Sequence, residues 1–346
     1  MPSMDAMVLH AHGGPEVLVR ERIEIPGPGP CEVLVRVKAV AMNHMDLWVR
    51  RGLPTLKLAY PHRLGCDVAG VVEAIGPGAR GVAVGDEIVV QPGLSCGVCA
   101  ACVSGRDNLC KRYRIHGESA QGGYGELLVI PDVNVLKKPA NLSFEEASAL
   151  PLCLLTAWQM VFRKAQIRPG QTVLVQAAGS GVSSLAIQLA KIAGATVITT
   201  TGTDETAARA RDLGADHVIN STTSDVLAET RKLTDKLGVD AVLDHVGGEV
   251  FEKSILATKW GGRVVTVGAT AGFTPKLDLR QIFFRQVEVL GSTMGSKGDL
   301  AEAMALVATG KIKPIVDRVV PLWEARAAHE ALEARKAFGK IVLTVS

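Results

Sequence analysis

Six short apolar runs recur between Gln171 and Met294: TVLVQAA, TVITTT, HVIN, DAVLDHV, RVVTVGA and VEVLGSTM. Helical stretches such as SSLAIQLAKIAG and EVFEKSILATKW lie between most of them. A strand that is apolar along its whole length has both faces covered. Strands that alternate with helices and are covered on both faces build a doubly wound parallel sheet. The fold class expected for this part of the chain is therefore α/β, of the Rossmann type.

The flanks read differently. EVLVRVKAVAMN, DVAGVVEAIG, DEIVV and GELLVI are strand-like runs broken by PGPGP, GPG and VGD, which predicts an irregular β-domain ahead of the sheet. Ser143 followed by Glu146 has capping-box spacing and opens an apolar helix. Past Gly295 a helix, a strand-like IVDRVVP, another helix and GKIVLTV follow, so the C-terminus is expected to rejoin the first domain. The expected division is 1–152 with 296–346, and 153–295, a reasonable count for 346 residues. The 38 basic and 35 acidic residues are evenly mixed and leave a net charge of +3, with no basic patch for nucleic acid. No apolar run approaches the ~18 residues that span a bilayer, and the first twenty residues do not read as a signal peptide. The expectation is a cytoplasmic chain that meets a small-molecule substrate, with neither nucleic acid nor membrane as partner.

VLVQAAGSGVSSLAIQLAK is a buried strand, a small-residue turn and a helix. At such a turn a dinucleotide's pyrophosphate rests on backbone N–H groups at the positive end of the helix. The match to GxGxxG is imperfect, because its glycine positions read Ala178, Ser180 and Ser183, with Gly179 and Gly181 offset. Alone this would be a tight structural turn; opening a six-strand alternation, it reads as a nucleotide site at Gly179, Ser180, Gly181 and Val182. The next strand ends at Thr201 without the acid that would bind a ribose 2′-hydroxyl. A 2′-phosphate would meet hydroxyls there, which favours NADP(H), with Thr201, Thr203 and Arg209 nearby. Asp204 and Glu205 follow closely and keep NAD(H) open.

Cys96, Cys99, Cys102 and Cys110 stand at C-x2-C-x2-C-x7-C spacing within 95–111. Four thiolates this close can enclose one Zn²⁺ tetrahedrally, and a closed shell has no open position for substrate, so the ion would be structural. The alternatives fit less well. Disulfides between cysteines this near in sequence are strained and suit an oxidising compartment, and iron–sulfur spacing is tighter at the fourth cysteine.

These features together resemble the medium-chain dehydrogenase/reductase family, the zinc alcohol dehydrogenases and their quinone-oxidoreductase relatives. The resemblance runs from HGGPEVL through GCDVAGVVEAIGPGA, VGDEIVV, the cysteine lobe, LTAWQM, RPGQTVLVQAAGSGV, LGADHVIN and GGRVVTVGAT to GKIVL. It implies a GroES-like catalytic domain made from both chain ends and a Rossmann domain between them. It further implies an NAD(P)(H) cleft and a homodimer or homotetramer built through the strand near Val287–Ser292. Further cofactor contacts are implied at His44, at Thr156, and at Val246, Gly268 and Ala269 on strand ends.

Zinc alcohol dehydrogenases also hold a catalytic zinc, and here the sequence departs from them. Asn43 in NHMD replaces the first cysteine ligand, Cys66 and Asp67 in GCD replace the histidine and its acidic neighbour, and Met45 replaces the proton-relaying hydroxyl. Cys153 lies one residue out of register with the last cysteine, where Leu152 stands. Cys66, Asp67 and Cys153 form a substitute metal site only if they converge with supporting partners. Without a Lewis acid an isolated ketone is hard to polarise, whereas a quinone or conjugated enone spreads the developing charge and needs only hydrogen bonds. The expected activity is thus NADPH-dependent, zinc-independent reduction of a quinone or enone, with Asn43 as oxyanion donor and Asp46 orienting its neighbours. The rivals are an alcohol dehydrogenase with rearranged zinc ligands and a crystallin-like protein that binds cofactor without turnover. Trp48, Tyr124 and Trp158 are candidates for an apolar substrate wall and equally for core packing. His116 and Glu118 read as ordinary loop residues, with reach to substrate the alternative, and Cys31 as surface or strand filler.

Overall fold

The computed structural model describes residues 3–25, 27–54 and 56–345. It divides into two compact units, Met1–Leu152 with Gly295–Ser346, and Cys153–Met294. The strands of the two main sheets are, before the division, β1 (Glu32–Ala41), β2 (Asp67–Ile75), β3 (Glu87–Val90), β4 (Leu127–Pro131) and β5 (Val135–Lys137). Then come β6 (Thr172–Val175), β7 (Thr196–Thr201), β8 (His217–Asn220), β9 (Val239–Asp244), β10 (Thr258–Thr266) and β11 (Glu288–Gly291). The last two are β12 (Val316–Pro321) and β13 (Lys340–Thr344). The helices that matter below are α1 (His44–Arg51), α2 (Pro151–Trp158), α3 (Gly181–Ile192), α4 (Asp204–Asp212) and α5 (Ala325–Glu333).

In the first unit the strand order is β12-β13-β1-β2-β3-β5, with β4 also pairing β1. Val33, Val35, Val37 and Val40 of β1 are all buried beside Val68 and Val72 of β2, Ile88 and Val90 of β3, and Leu343 of β13. Each such side chain contributes about 1.5–3 kcal/mol on burial. The register sets the site. Asp67 pairs with Ala41 across β1–β2, and Val342 pairs with Ala41 across β13–β1. A backbone bond from Met42 N to Ile341 O, 2.9 Å, extends the second pairing. The residues that follow Ala41 therefore meet the start of β2 on one side and the start of β13 on the other.

In the second unit six parallel strands run in the order β8-β7-β6-β9-β10-β11. The order reverses between β6 and β9, where the crevice of a doubly wound sheet lies beyond the strands' carboxyl ends. β7 buries three consecutive threonines, Thr199, Thr200 and Thr201. Their hydroxyls are used: Thr199 Oγ1 donates to Val175 O at 2.7 Å and Thr200 Oγ1 to Gln176 Oε1 at 3.0 Å. Among the described residues no helix is long and apolar enough to cross a membrane. The capping box read from Ser143 and Glu146 is formed, with Ser143 Oγ accepting from Glu146 N at 3.2 Å.

Candidate active site, zinc lobe and cofactor turn

Asn43 is the N-cap of α1, and the third residue of that helix, Asp46, reaches back to its backbone. The Asp46 carboxylate accepts from Asn43 N at 2.7 Å and from Gly65 N at 2.9 Å. It is fully buried, and burial raises its carboxyl to about 6 against the pull of those two N–H groups and of Lys340. Asp46 thus locks the Asn43 turn onto the segment that leads into β2, an orienting role that also makes it a helix-start residue.

The Asn43 side chain joins three groups. Its Nδ2 donates to Asp67 Oδ2 at 2.8 Å and to Cys66 Sγ at 3.3 Å, while its Oδ1 accepts from Lys340 Nζ at 2.6 Å. An ammonium group has donors only, so the Asn43 atom it touches must be the carbonyl oxygen. Lys340 therefore fixes which way the amide points. Lys340 also pairs with Asp67 at 3.1 Å, with both side chains almost wholly buried. Asp67 Oδ1 accepts from Leu152 N at 2.7 Å. The structure brings Asn43, Asp46, Cys66 and Asp67 together as one cluster and adds Lys340, which sequence reasoning did not single out although GKIVL had been quoted. Cys153 and Thr156 are buried residues of α2, whose end widens into a π turn over Gln159–Lys164.

For three residues named from sequence the structure decides between the readings left open. Tyr124 is 0 % exposed and cannot line a substrate wall. It ends a buried chain in which Arg50 Nη1 lies 3.2 Å from His329 Nδ1 and His329 Nε2 lies 3.1 Å from the Tyr124 hydroxyl. Arg50 must donate, so Nδ1 accepts and Nε2 carries the proton that Tyr124 receives. The second is His116, which is buried, with Nδ1 on Gln121 O at 3.0 Å. Cys31 is exposed and lies in the left-handed region at φ 59°, so the surface reading holds and not the strand filler. Trp48 and Trp158 are half-buried.

In the lobe, the ligand atoms of Cys96, Cys99, Cys102 and Cys110 all lie within 4.8 Å of one another, and among the described residues they are the one such gathering of His, Cys, Asp or Glu. Cys96 and Cys102 sulfurs are 3.8 Å apart and those of Cys99 and Cys102 3.5 Å. Tetrahedral zinc with Zn–S bonds of about 2.3 Å requires sulfur separations of about 3.8 Å, so the set fits the ion. The backbone N–H of Val98 and the Arg112 side chain lower the Cys96 thiol to about 5, favouring thiolate. The lobe is pinned at its base by Lys297, whose Nζ donates to Gly93 O at 3.0 Å, Ser95 Oγ at 3.3 Å and Asp107 Oδ2 at 3.3 Å.

The turn between β6 and α3 is held by β7. Ala177, at φ 54°, donates its N–H to Thr200 Oγ1 at 2.8 Å, and Ala178 donates to Thr200 O at 2.8 Å. Ser180 is the N-cap of α3, its Oγ accepting from Ser183 N at 3.0 Å. Gly179, Gly181 and Val182 frame the same turn. Val246, and Gly268 with Ala269, lie in the loops after β9 and β10, which join through Ala271 N to Val246 O at 2.8 Å. At the end of β7, Thr203 caps α4 and shares a hydrogen bond with Thr206 Oγ1 at 3.0 Å, while Asp204 and Glu205 lie exposed in the first turn. Arg209 is further along α4, and Thr201 Oγ1 donates to Thr203 O at 3.3 Å. His44 is the first residue of α1 and is half-buried.

A six-stranded Rossmann sheet carrying a small-residue turn, combined with an antiparallel β unit bearing a four-cysteine lobe, defines an oxidoreductase of two-unit architecture. The family model for zinc-binding dehydrogenases matches residues 181–309, and that for the alcohol dehydrogenase GroES-like domain matches residues 29–140. An NAD-dependent alcohol dehydrogenase of Sulfolobus acidocaldarius is 34% identical over 99% of this chain and 100% of its own. A human quinone oxidoreductase is 28% identical over 98% of this chain and 97% of its own. A crystal structure of an NAD-dependent alcohol dehydrogenase superimposes with a TM-score of 0.97 at 52% identity, covering 99% of this chain and 100% of that one. The chain belongs to the medium-chain dehydrogenase/reductase family.

Proposed function

We propose that this protein is an NAD(P)(H)-dependent oxidoreductase that reduces a quinone or a carbonyl-conjugated alkene without a catalytic metal. The orientation of the Asn43 amide carries the reading. With its oxygen taken by Lys340, the amide turns N–H hydrogens toward Cys66 and Asp67. A divalent ion there would meet hydrogens where it needs lone pairs, so these residues do not fit a catalytic zinc. A developing oxyanion needs what the amide offers. The hydrogen directed at the Cys66 sulfur is held by a weak acceptor, and a substrate oxygen competes for it. The β6–α3 turn, with Gly179, Ser180, Gly181 and Val182, would hold a nicotinamide cofactor, which would supply the hydride. At the end of β7 the Thr201 and Thr203 hydroxyls stand where a carboxylate would exclude a 2′-phosphate, which supports NADPH as the donor. The four cysteines hold a structural zinc that closes their loop. Subunits associate through β11, whose Val289 is exposed, as are Phe283 and Phe284 just before it in the chain.

The names of the Sulfolobus relative and of the superimposed structure favour a second reading, a metal-dependent alcohol dehydrogenase using NAD(H). Metal content of the purified chain separates the two. One zinc per chain, with NADPH-dependent turnover of quinones or enones that survives chelator, is the expected result. Two zincs per chain, with alcohol turnover lost to chelator and restored by zinc, overturns the proposal. So does cofactor binding without turnover on any quinone or enone, and NADH binding far tighter than NADPH overturns the cofactor choice.

A further inference from the structure

The imperfect fingerprint at the cofactor turn has a partner elsewhere in the chain. His245 follows the last residue of β9, and its Nε2 lies 2.8 Å from Ser180 Oγ and 3.0 Å from Ser183 Oγ. These serines occupy two of the positions where the dinucleotide fingerprint has glycine. The direction of every proton in this cluster can be worked out. Ser183 Oγ is 2.6 Å from Gln176 O, and a carbonyl only accepts, so the single Ser183 hydroxyl proton goes there. The contact between Ser183 Oγ and His245 must then be an N–H donated by the ring, which places a proton on Nε2, and that one N–H is shared in a bifurcated bond between the Ser183 and Ser180 oxygens. Backbone carbonyls of Gln176 and Ala177 face the same ring, and burial keeps the imidazole neutral by lowering its pKa. Asp244 holds the loop, with Oδ1 accepting from Val246 N at 2.7 Å and Gly247 N at 2.9 Å.

Ser180 Oγ consequently accepts twice, from Ser183 N at 3.0 Å and from His245 Nε2–H. Both of its lone pairs are engaged, and its own proton can go to neither partner because both are donors. We propose that His245 is a positioning residue that makes the Ser180 hydroxyl a dedicated donor for a diphosphate oxygen of the cofactor. The inference rests on the reading of the β6–α3 turn as the dinucleotide site. It accounts for serine at that fingerprint position: the side chain adds one aimed O–H to the backbone N–H groups that a glycine turn would offer. A hydroxyl that has lost its acceptor capacity to two neighbours cannot turn its lone pair toward the anion.

The test measures binding of ADP-ribose, which carries the diphosphate without the nicotinamide, to the full chain and to variants. Ser180→Gly keeps an N-cap residue that helices accept and removes the hydroxymethyl side chain while leaving the backbone N–H groups of the turn in place. It is expected to weaken ADP-ribose roughly tenfold to a hundredfold, the worth of a hydrogen bond to a charged group. His245→Ala should fall in the same direction by a smaller factor, and His245→Gln, which keeps an N–H at similar reach, should recover most of it. The double variant His245→Ala with Ser180→Gly should bind no more weakly than Ser180→Gly alone. Losses that multiply would mean that His245 touches the cofactor itself, and wild-type affinity in Ser180→Gly would remove the donor; either overturns the inference. Both outcomes leave the substrate and the metal content untouched, so they are separate from failure of the proposed reduction. A wild-type chain that binds no ADP-ribose overturns both.

Discussion

Replacing Lys340 with methionine keeps most of the side chain's volume and deletes its charge. In the native chain this ammonium is 4 % exposed, lies 3.1 Å from Asp67 Oδ2 and 2.6 Å from Asn43 Oδ1, and is the cation paired with a carboxylate that is 0 % exposed. After Lys340→Met, Asp67 keeps the Leu152 N–H and the Asn43 amide hydrogen but remains a buried charge without a counter-ion, and Asn43 Oδ1 loses its donor. Breaking a buried pair from one side costs about 3–5 kcal/mol. For a unit of this size each kcal/mol moves the midpoint about 2–4 °C, so Tm should fall by about 6–20 °C in a thermal melt at neutral pH. Lys340→Met with Asp67→Asn should regain much of the loss, because Asp67 no longer carries a charge without its counter-ion and no longer repels the buried Asp46. A single variant that melts within about 2 °C of wild type, or a double variant less stable than the single, would refute the claim that this pair is a desolvated, mutually dependent charge couple.

Two further outcomes test the scaffold around the site. Gly65 has φ +88°, and a Cβ there would stand 2.5 Å from Tyr124 Cδ1 and 2.7 Å from Val40 Cγ1. Gly65→Ala should cost about 1–3 kcal/mol in denaturant unfolding, and an unchanged midpoint would show that the buried Tyr124 can yield. His329 is lowered to about 3 by burial and by Arg50, so its folded pKa lies below its unfolded one. Its contribution to stability is therefore present above about 6.5 and is lost as pH falls from there toward 3, at about 1.4 kcal/mol per pH unit. His329→Gln should flatten that acid slope, and identical pH–stability curves for variant and wild type would contradict the buried, neutral histidine.

Much of this protein is legible from one end of the chain to the other because the signals are local. The six apolar runs become the six strands of the Rossmann sheet, since burial on both faces leaves its mark in consecutive residues. The four cysteines are close in sequence, and a short lobe can close on them with little help from elsewhere. Asn43, Asp46, Cys66 and Asp67 were recognisable as a group by comparison with a family pattern, which also suggested roles for Asn43 and Asp46, but not the bonds that join them. The sequence left Tyr124 open between pocket wall and core, because aromatic character does not distinguish the two and its buried partners Arg50 and His329 are brought to it only by the fold.

The sequence by itself determined the alternation of strands and helices, the metal-binding lobe and the residue types present at the reactive end of α1. Only the tertiary structure decided the direction of the hydrogen bonds there. Lys340 is 297 residues from Asn43, and pairing of β13 with β1 brings it close enough to set which face of the amide donates. His245 and Ser180 are 65 residues apart and meet because β9 lies next to β6. Periodicity is written in neighbouring residues, but the orientation of a proton depends on whichever charged or polar group the fold places beside it.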